Sequence, residues 1–364
     1  MICSLPRACF LVPLTLSLLM AADWPVFRGN PAQTGTAAGK LPDVLEIRWQ
    51  FKTEDAIEGT AAIVHDVVYI GSIDGHLYAL DLATGQKKWA YAAGPIKAAP
   101  SVRDGRIYVG DSDGVFHCLD AAKGTKIWAF ETEGEIVSGA NFAGEHILFG
   151  SHDEHLYCLD ADGKERWKYR IDGPVNGSPA VVGERTFVAG CDSVLHVLDT
   201  ASGKELAAVD LDGQAGATPA VLGEQLYVGT MTNQMLGINW KTPEVTWTFE
   251  APKRQQPFYA SAAVVGDWVV VGSRDRRVYG LNRQTGKEVW SFLTDSRVDS
   301  SPVVVGERVY VGSLDRNFYV LDLRTGKLIQ KLTLDGPISA SPAATADCLI
   351  IGTERGTVYC LGNK

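Results

Sequence analysis

Short apolar stretches alternate with tight polar clusters along most of the chain, and within the stretches the hydrophobic period is two. In the segment after Thr60, AAIV, VVYIG, HLYALDL and KKWAYAA each read as a strand. Alternation and β-branched content favour strands, and no helical spacing runs through any ten-residue window. The clusters between them are turns. VHDV, RDGR, VGER and VGDW join the first strand (A) to the second (B), and SIDG, DSDG and SLDR join B to C. LATG, AAKG, TASG, RQTG and LRTG join C to D. Asp and Gly recur there because tight hairpins need positive φ or a side chain that bonds its own backbone.

The pattern repeats. Strand B ends at Gly71, Gly110, Gly150, Gly190, Gly229, Gly272, Gly312 and Gly352, in steps of 39, 40, 40, 39, 43, 40 and 40. A period near 40 over the whole chain predicts a propeller, since one four-stranded blade cannot bury its own hydrophobic faces. Strand A is small and proline-containing (AAPSV, GSPAV, ATPAV, SSPVV, ASPAA), which suits an edge strand at the crowded axis. Strand D carries Trp49, Trp89, Trp128, Trp167, Trp247 and Trp290, which suits the wide rim. Eight A-B-C sets are present, and the last runs out before its strand D. The spare strand, VLEIRWQFKT, lies at the other end, with Trp49 one period before Trp89. The expected fold is all-β: an eight-bladed propeller of four-stranded antiparallel blades, residues 44–364, closed by the N-terminal strand joining the C-terminal blade.

The N-terminus changes the expected location. Residues 1–22 carry Arg7, an apolar run from Phe10 to Met20 and then Ala21 and Ala22, as in a secretory signal peptide cleaved near Ala22. The run is short for a membrane span, although retention as an anchor is the alternative reading. Cys9 precedes the run, so no lipid anchor is expected. Residues 23–43 form a lead-in, WPVFRGNPAQTG at its start. Without residues 1–22 five cysteines remain, an odd number that argues against a disulfide framework. Cys118, Cys158 and Cys360 share one repeat position and read as small buried packing residues. A formal net charge of −9 argues against nucleic acid as a partner.

The C-to-D segment has its own signature: Ala79-x-Asp81-x-x-Thr84-Gly85-x-x-x-Trp89, Cys118-x-Asp120-x-x-x-Gly124-x-x-x-Trp128, and Gly280-x-Asn282-x-x-Thr285-Gly286-x-x-x-Trp290. It resembles the tryptophan-docking motif of the pyrroloquinoline quinone (PQQ)-type eight-bladed propellers, and the lead-in resembles that of their exported members. The Trp-Asp ending of WD40 repeats is absent. Ala207 and Gln330 stand at the Trp position of blades four and seven, and Asn239 and Pro243 replace Asp and Gly in blade five, so those wedges need another filler.

The resemblance implies two kinds of function. Quinoprotein dehydrogenases of this type hold PQQ and Ca²⁺ on the axis, with an adjacent Cys-Cys pair and long insertions, and this sequence has no Cys-Cys pair. The non-catalytic BamB-like branch binds proteins through loops on one face, in outer-membrane protein assembly. The sequence fits that branch better: an exported, non-catalytic, monomeric scaffold for a protein partner in the cell envelope, with no cofactor or metal and no transmembrane span after cleavage. A PQQ-dependent dehydrogenase and a sensor or carbohydrate-binding propeller are the alternatives, the latter with Trp240 as a candidate contact.

The B-C turns and D-A loops share one face. Asp74, Asp113, His152-Asp153-Glu154-His155 and Asp192 suggest an acidic arc there. Lys253, Arg254, Arg274, Arg276, Arg277, Arg297, Arg316 and Arg355 suggest a basic arc, the candidate partner-binding surface, because such a field steers and orients a charged partner. The D-A loop EAPKRQQPFY, which accounts for the step of 43, is a second candidate. His152 and His155 flank two carboxylates but sit too close in one turn to converge on a metal. No nucleophile elbow, zinc-protease or phosphate-loop motif is present.

Overall fold

A computed structural model describes residues 23–252 and 254–363. The expected signal peptide (residues 1–22) and Lys253 lie outside the described residues. Eight antiparallel sheets form an eight-bladed propeller. In blade 1 strands A to D are Ala62–Val64, Val67–Gly71, His76–Asp81 and Lys87–Ala92. Strands B and C are buried on both faces, whereas D alternates between exposed and half-buried. The A strands meet around the axis, and that of blade 8 meets that of blade 1. The ring is closed by Glu46–Lys52, which pairs with Thr357–Gly362 as strand D of blade 8.

Indoles hold the wedges between blades. Each docking Trp donates Nε1–H to a carbonyl in the C-D turn of the next blade: Trp49 to Leu82 (2.8 Å), Trp89 to Ala121 (3.2 Å), Trp128 to Ala161 (3.0 Å). Trp167 reaches Thr200 (3.0 Å), Trp247 Arg283 (3.0 Å) and Trp290 Leu323 (2.8 Å). The indole face lies on the turn glycine of that blade. A Cβ on Gly326 would stand 2.4 Å from Trp290 Cε3, and φ there is +65°. This geometry explains the irregular blades. Ala207 in blade 4 leaves no indole for the turn of blade 5, so Pro243 can stand where the others need glycine. Trp240 fills that wedge from the blade 5 side, its ring edge-on to Phe187 at 5.3 Å and its N–H on Gly223 O. It is therefore a packing residue more than an open sugar platform. In blade 7 the next blade has no C-D turn, because its C and D strands come from opposite ends of the chain. Gln330 instead clamps Leu45, accepting from its N–H (2.9 Å) and donating to its C=O (2.8 Å).

The lead-in threads the axis. Trp24 exchanges both backbone hydrogen bonds with Ile63 of blade 1. The carbonyls of Pro25, Pro31, Ala32, Thr34 and Gly35 then accept from Val102, Val181, Val221, Val264 and Val304, the middle amides of strand A in blades 2, 4, 5, 6 and 7. In blade 3 Asn141 Nδ2 bonds Pro31 O instead (2.7 Å). The segment thus satisfies inner-edge amides that would otherwise face an empty channel. Thr36–Ala37 finishes as a parallel fifth strand on blade 7.

Candidate functional site

The opposite end of the axis is open. There each D-A loop is tied to the B-C turn of the blade it enters by the same backbone bond, Ile73 to Ala56, Ser112 to Pro95, and so on to Glu354 to Pro337. Two positions of each blade are thereby brought toward the axis, and residues from both line a cavity there. One follows the buried apolar residue of the D-A loop: Glu58, Lys97, Val137, Asn176, Gly216, Tyr259, Asp299 and Ser339 line a cavity of about 420 Å³. The other is the second turn residue, and its His152, Arg274 and Glu354 also line the cavity. Phe27 of the lead-in contributes to the floor.

Below the mouth runs a belt of hydroxyls. Ser178, Thr218, Ser261, Ser301 and Ser341 each accept a backbone N–H from the preceding blade, at 2.8 to 3.0 Å. One lone pair of each oxygen is thereby used, and each hydroxyl hydrogen remains without an acceptor among the described residues. Ser339 Oγ, buried in the same wall, has no partner there at all.

The mouth is ordered by charge pairs. Arg274 grips Asp299 with two bonds (2.8 and 2.9 Å) and lies over the ring of Tyr259, 4.4 Å from its centre. The long D-A loop supplies Tyr259, the only aromatic among the eight loop positions, and the residue is 40% exposed. Lys97 pairs with Glu135 (3.3 Å), and His152 Nε2 meets Asn176 Oδ1 (2.9 Å). Burial, with Glu354 and Asp55 nearby, pushes the Glu58 carboxyl above its usual range despite Lys97.

The charged arcs fare differently. Most of the proposed acidic arc turns inward. Asp74 and Asp153 accept from Tyr78 (2.8 Å) and Tyr157 (2.7 Å), and Asp192 meets His196 (2.7 Å). Asp275 and Asp315 do the same for Tyr279 and Tyr319 in the basic half, so these aspartates stabilise turns in both halves. Of the basic arc, Arg254, Arg297, Arg316 and Arg355 are exposed, Arg274 is committed to Asp299, and Arg277 donates to Ser291. Arg276 and Arg316 occupy the left-handed turn tip (φ +75° and +73°), where blades 1, 2 and 8 have Gly75, Gly114 and Gly356. His152 and His155 go to separate partners, and no cluster of three His, Cys, Asp or Glu among the described residues could hold a metal. The five thiols among the described residues are free. Burial pushes Cys118 up to about 11 and Cys158 to about 12, which leaves them unreactive.

The profile of the family described as "Outer membrane protein assembly factor BamB" matches this chain in three overlapping stretches, residues 46–143, 112–204 and 183–364. The chain belongs to that family. BamB of Moraxella catarrhalis has a similar structure, with a TM-score of 0.75 and 20% identity, covering 88% of this chain and all of that one. The quinohemoprotein alcohol dehydrogenase of Comamonas testosteroni superposes with a TM-score of 0.81 at 13% identity, over 94% of this chain and 80% of that one. A computationally designed protein, Ika8, gives 0.76 at 18% identity, over 86% and 98%. At these identities the likeness is one of fold. No curated protein sequence matches the chain significantly.

Proposed function

We propose that this BamB-family propeller is an exported, non-catalytic scaffold that docks a protein partner of the cell envelope on its loop face, through the basic arc. The observation that carries the reading is the pair of arginines at turn tips. A non-glycine residue in the left-handed region costs about 1–2 kcal/mol; blades 1, 2 and 8 avoid that cost with glycine, blades 3, 4 and 5 carry Glu154, Ser193 and Asn233 at the same tip, and arginine stands there in blades 6 and 7 alone. The exposed Arg254, Arg297 and Arg355 extend the same field over blades 6 to 8. The family's name, and that of its Moraxella member, support an assembly role in the outer membrane.

The quinone reading has less support in the residues. Asp299 already carries Arg274 and Arg297, and the remaining carboxylates at the mouth, Glu58, Glu135 and Glu354, come from separate blades. No three of these donors cluster among the described residues, so they lend the quinone reading no particular support. The test is capture of the native partner by the mature protein and by an Arg254→Glu, Arg316→Glu, Arg355→Glu variant. Loss of capture with an unchanged melting temperature supports docking through the arc, and equal capture refutes it.

A further inference from the structure

We propose that the axial cup binds a neutral sugar unit, a single residue or the end of a glycan, independently of the docking surface on the rim. The cup is walled by eight loops and floored in part by Phe27, and its volume of about 420 Å³ falls within the range of small-molecule sites. Its lining is unsuited to an apolar ligand. The apolar side chains are few, and polar groups stand on every side.

The polar groups are of both kinds a polyol needs. The belt of Ser178, Thr218, Ser261, Ser301 and Ser341 offers five hydroxyl hydrogens, none of which has an acceptor among the described residues. Ser339 adds a buried hydroxyl with no partner, which costs free energy unless something bonds it. Glu58 and Glu354 supply acceptors and have no ion pair among the described residues. A sugar hydroxyl donates and accepts at once, so it can bridge the belt and the carboxylates.

The charge balance disfavours an anion. Lys97 is held by Glu135 and Arg274 by Asp299, which leaves Glu58 and Glu354 facing the cup as net negative charge. Tyr259 gives the remaining element, an aromatic face for the C–H side of a pyranose. Arg274 stacks on that ring at 4.4 Å and is itself fixed by two bonds to Asp299, so the platform is pre-ordered.

The experiment is calorimetric or saturation-transfer titration of the mature protein. The probes are glucose, galactose, mannose, N-acetylglucosamine, cellobiose and chitobiose, with glucuronate and inorganic phosphate as charged controls. The expected result is saturable binding of at least one neutral sugar. Tyr259→Ala should weaken it by about tenfold, and Ser339→Ala by a smaller factor, both with unchanged melting temperature. Ser339 makes no hydrogen bond in the fold, so its variant is not expected to unfold the protein. Absence of saturable binding across the neutral panel overturns the proposal. So does binding that neither variant alters, or binding confined to the charged controls. Arg254, Arg316 and Arg355 do not line the cup, so reversing their charge leaves sugar binding unchanged and the two readings fail separately.

Discussion

Neighbouring blades are coupled by the contact of an indole with a glycine one blade away, and the pair Trp290 and Gly326 lets that coupling be measured. Trp290 is 7% exposed, and its Nε1–H bonds Leu323 O at 2.8 Å. Trp290→Ala removes a nearly buried indole and should cost about 3–5 kcal/mol. Gly326→Ala forces a Cβ to within 2.4 Å of the indole and imposes φ +65° on alanine. The backbone contribution is about 1–2 kcal/mol and the overlap about 1–3 kcal/mol. In the double variant the overlap vanishes, because no indole is there, and only the backbone part remains. The two changes should therefore be non-additive by about 1–3 kcal/mol, with the double variant more stable than the sum predicts. Equilibrium denaturation of the four proteins gives the coupling directly. Equal cost of Gly326→Ala with and without Trp290 would refute the wedge account, and with it the explanation of why Pro243 is tolerated opposite Ala207.

Three further outcomes follow from particular contacts. Gln330→Leu removes both bonds to Leu45 and leaves two backbone groups unpaired at the ring seam, at a cost of about 1–3 kcal/mol read as a lower melting temperature; an unchanged value would show that strand pairing alone closes the ring. Gly35→Ala would place a Cβ on the guanidinium of Arg28 at φ +66°, so the lead-in should leave the axis and become open to protease between residues 23 and 40, and persistent resistance would count against the plug. At His196 burial lowers the imidazole's proton affinity, but the bonds and charges of Asp192 and Glu205 outweigh it and hold the pKa above its ordinary 6.5. A raised pKa means that this contribution is complete below pH 6.5 and fades as pH rises through the folded value. His196→Gln should remove that alkaline-side decline from a plot of melting temperature against pH, and an identical slope in both proteins would exclude the network as its source.

Blade number, strand order and ring closure can all be read from the sequence, because each rests on something that repeats. The glycine ending strand B is required wherever a D-A loop aliphatic packs on it; a Cβ on Gly71 would lie 2.2 Å from Ile96. The spare strand around Trp49 shows itself by falling one period early. The cup was missed for the converse reason. Its wall is built largely from a loop position that differs in every blade, Glu58 to Ser339, and a position that varies looks like noise until the symmetry brings all eight copies to the axis. The acidic arc was misread because a turn aspartate looks the same in sequence whether it faces water or, like Asp153, accepts from a tyrosine four residues on. The departures at Ala207 and Pro243 were visible separately, but only the inter-blade contact makes them one feature.

The proposed docking of an envelope protein on the loop face depends on its exposed arginines. The most direct measurement is in-cell crosslinking of the tagged protein, followed by quantitative recovery of its crosslinked partner from the membrane fraction, with the Arg254→Glu, Arg316→Glu, Arg355→Glu variant beside it. The account predicts one dominant partner with the native arc and its loss with the reversed arc, at equal amounts of folded protein. Equal recovery from both, or no partner from the native protein, would contradict it.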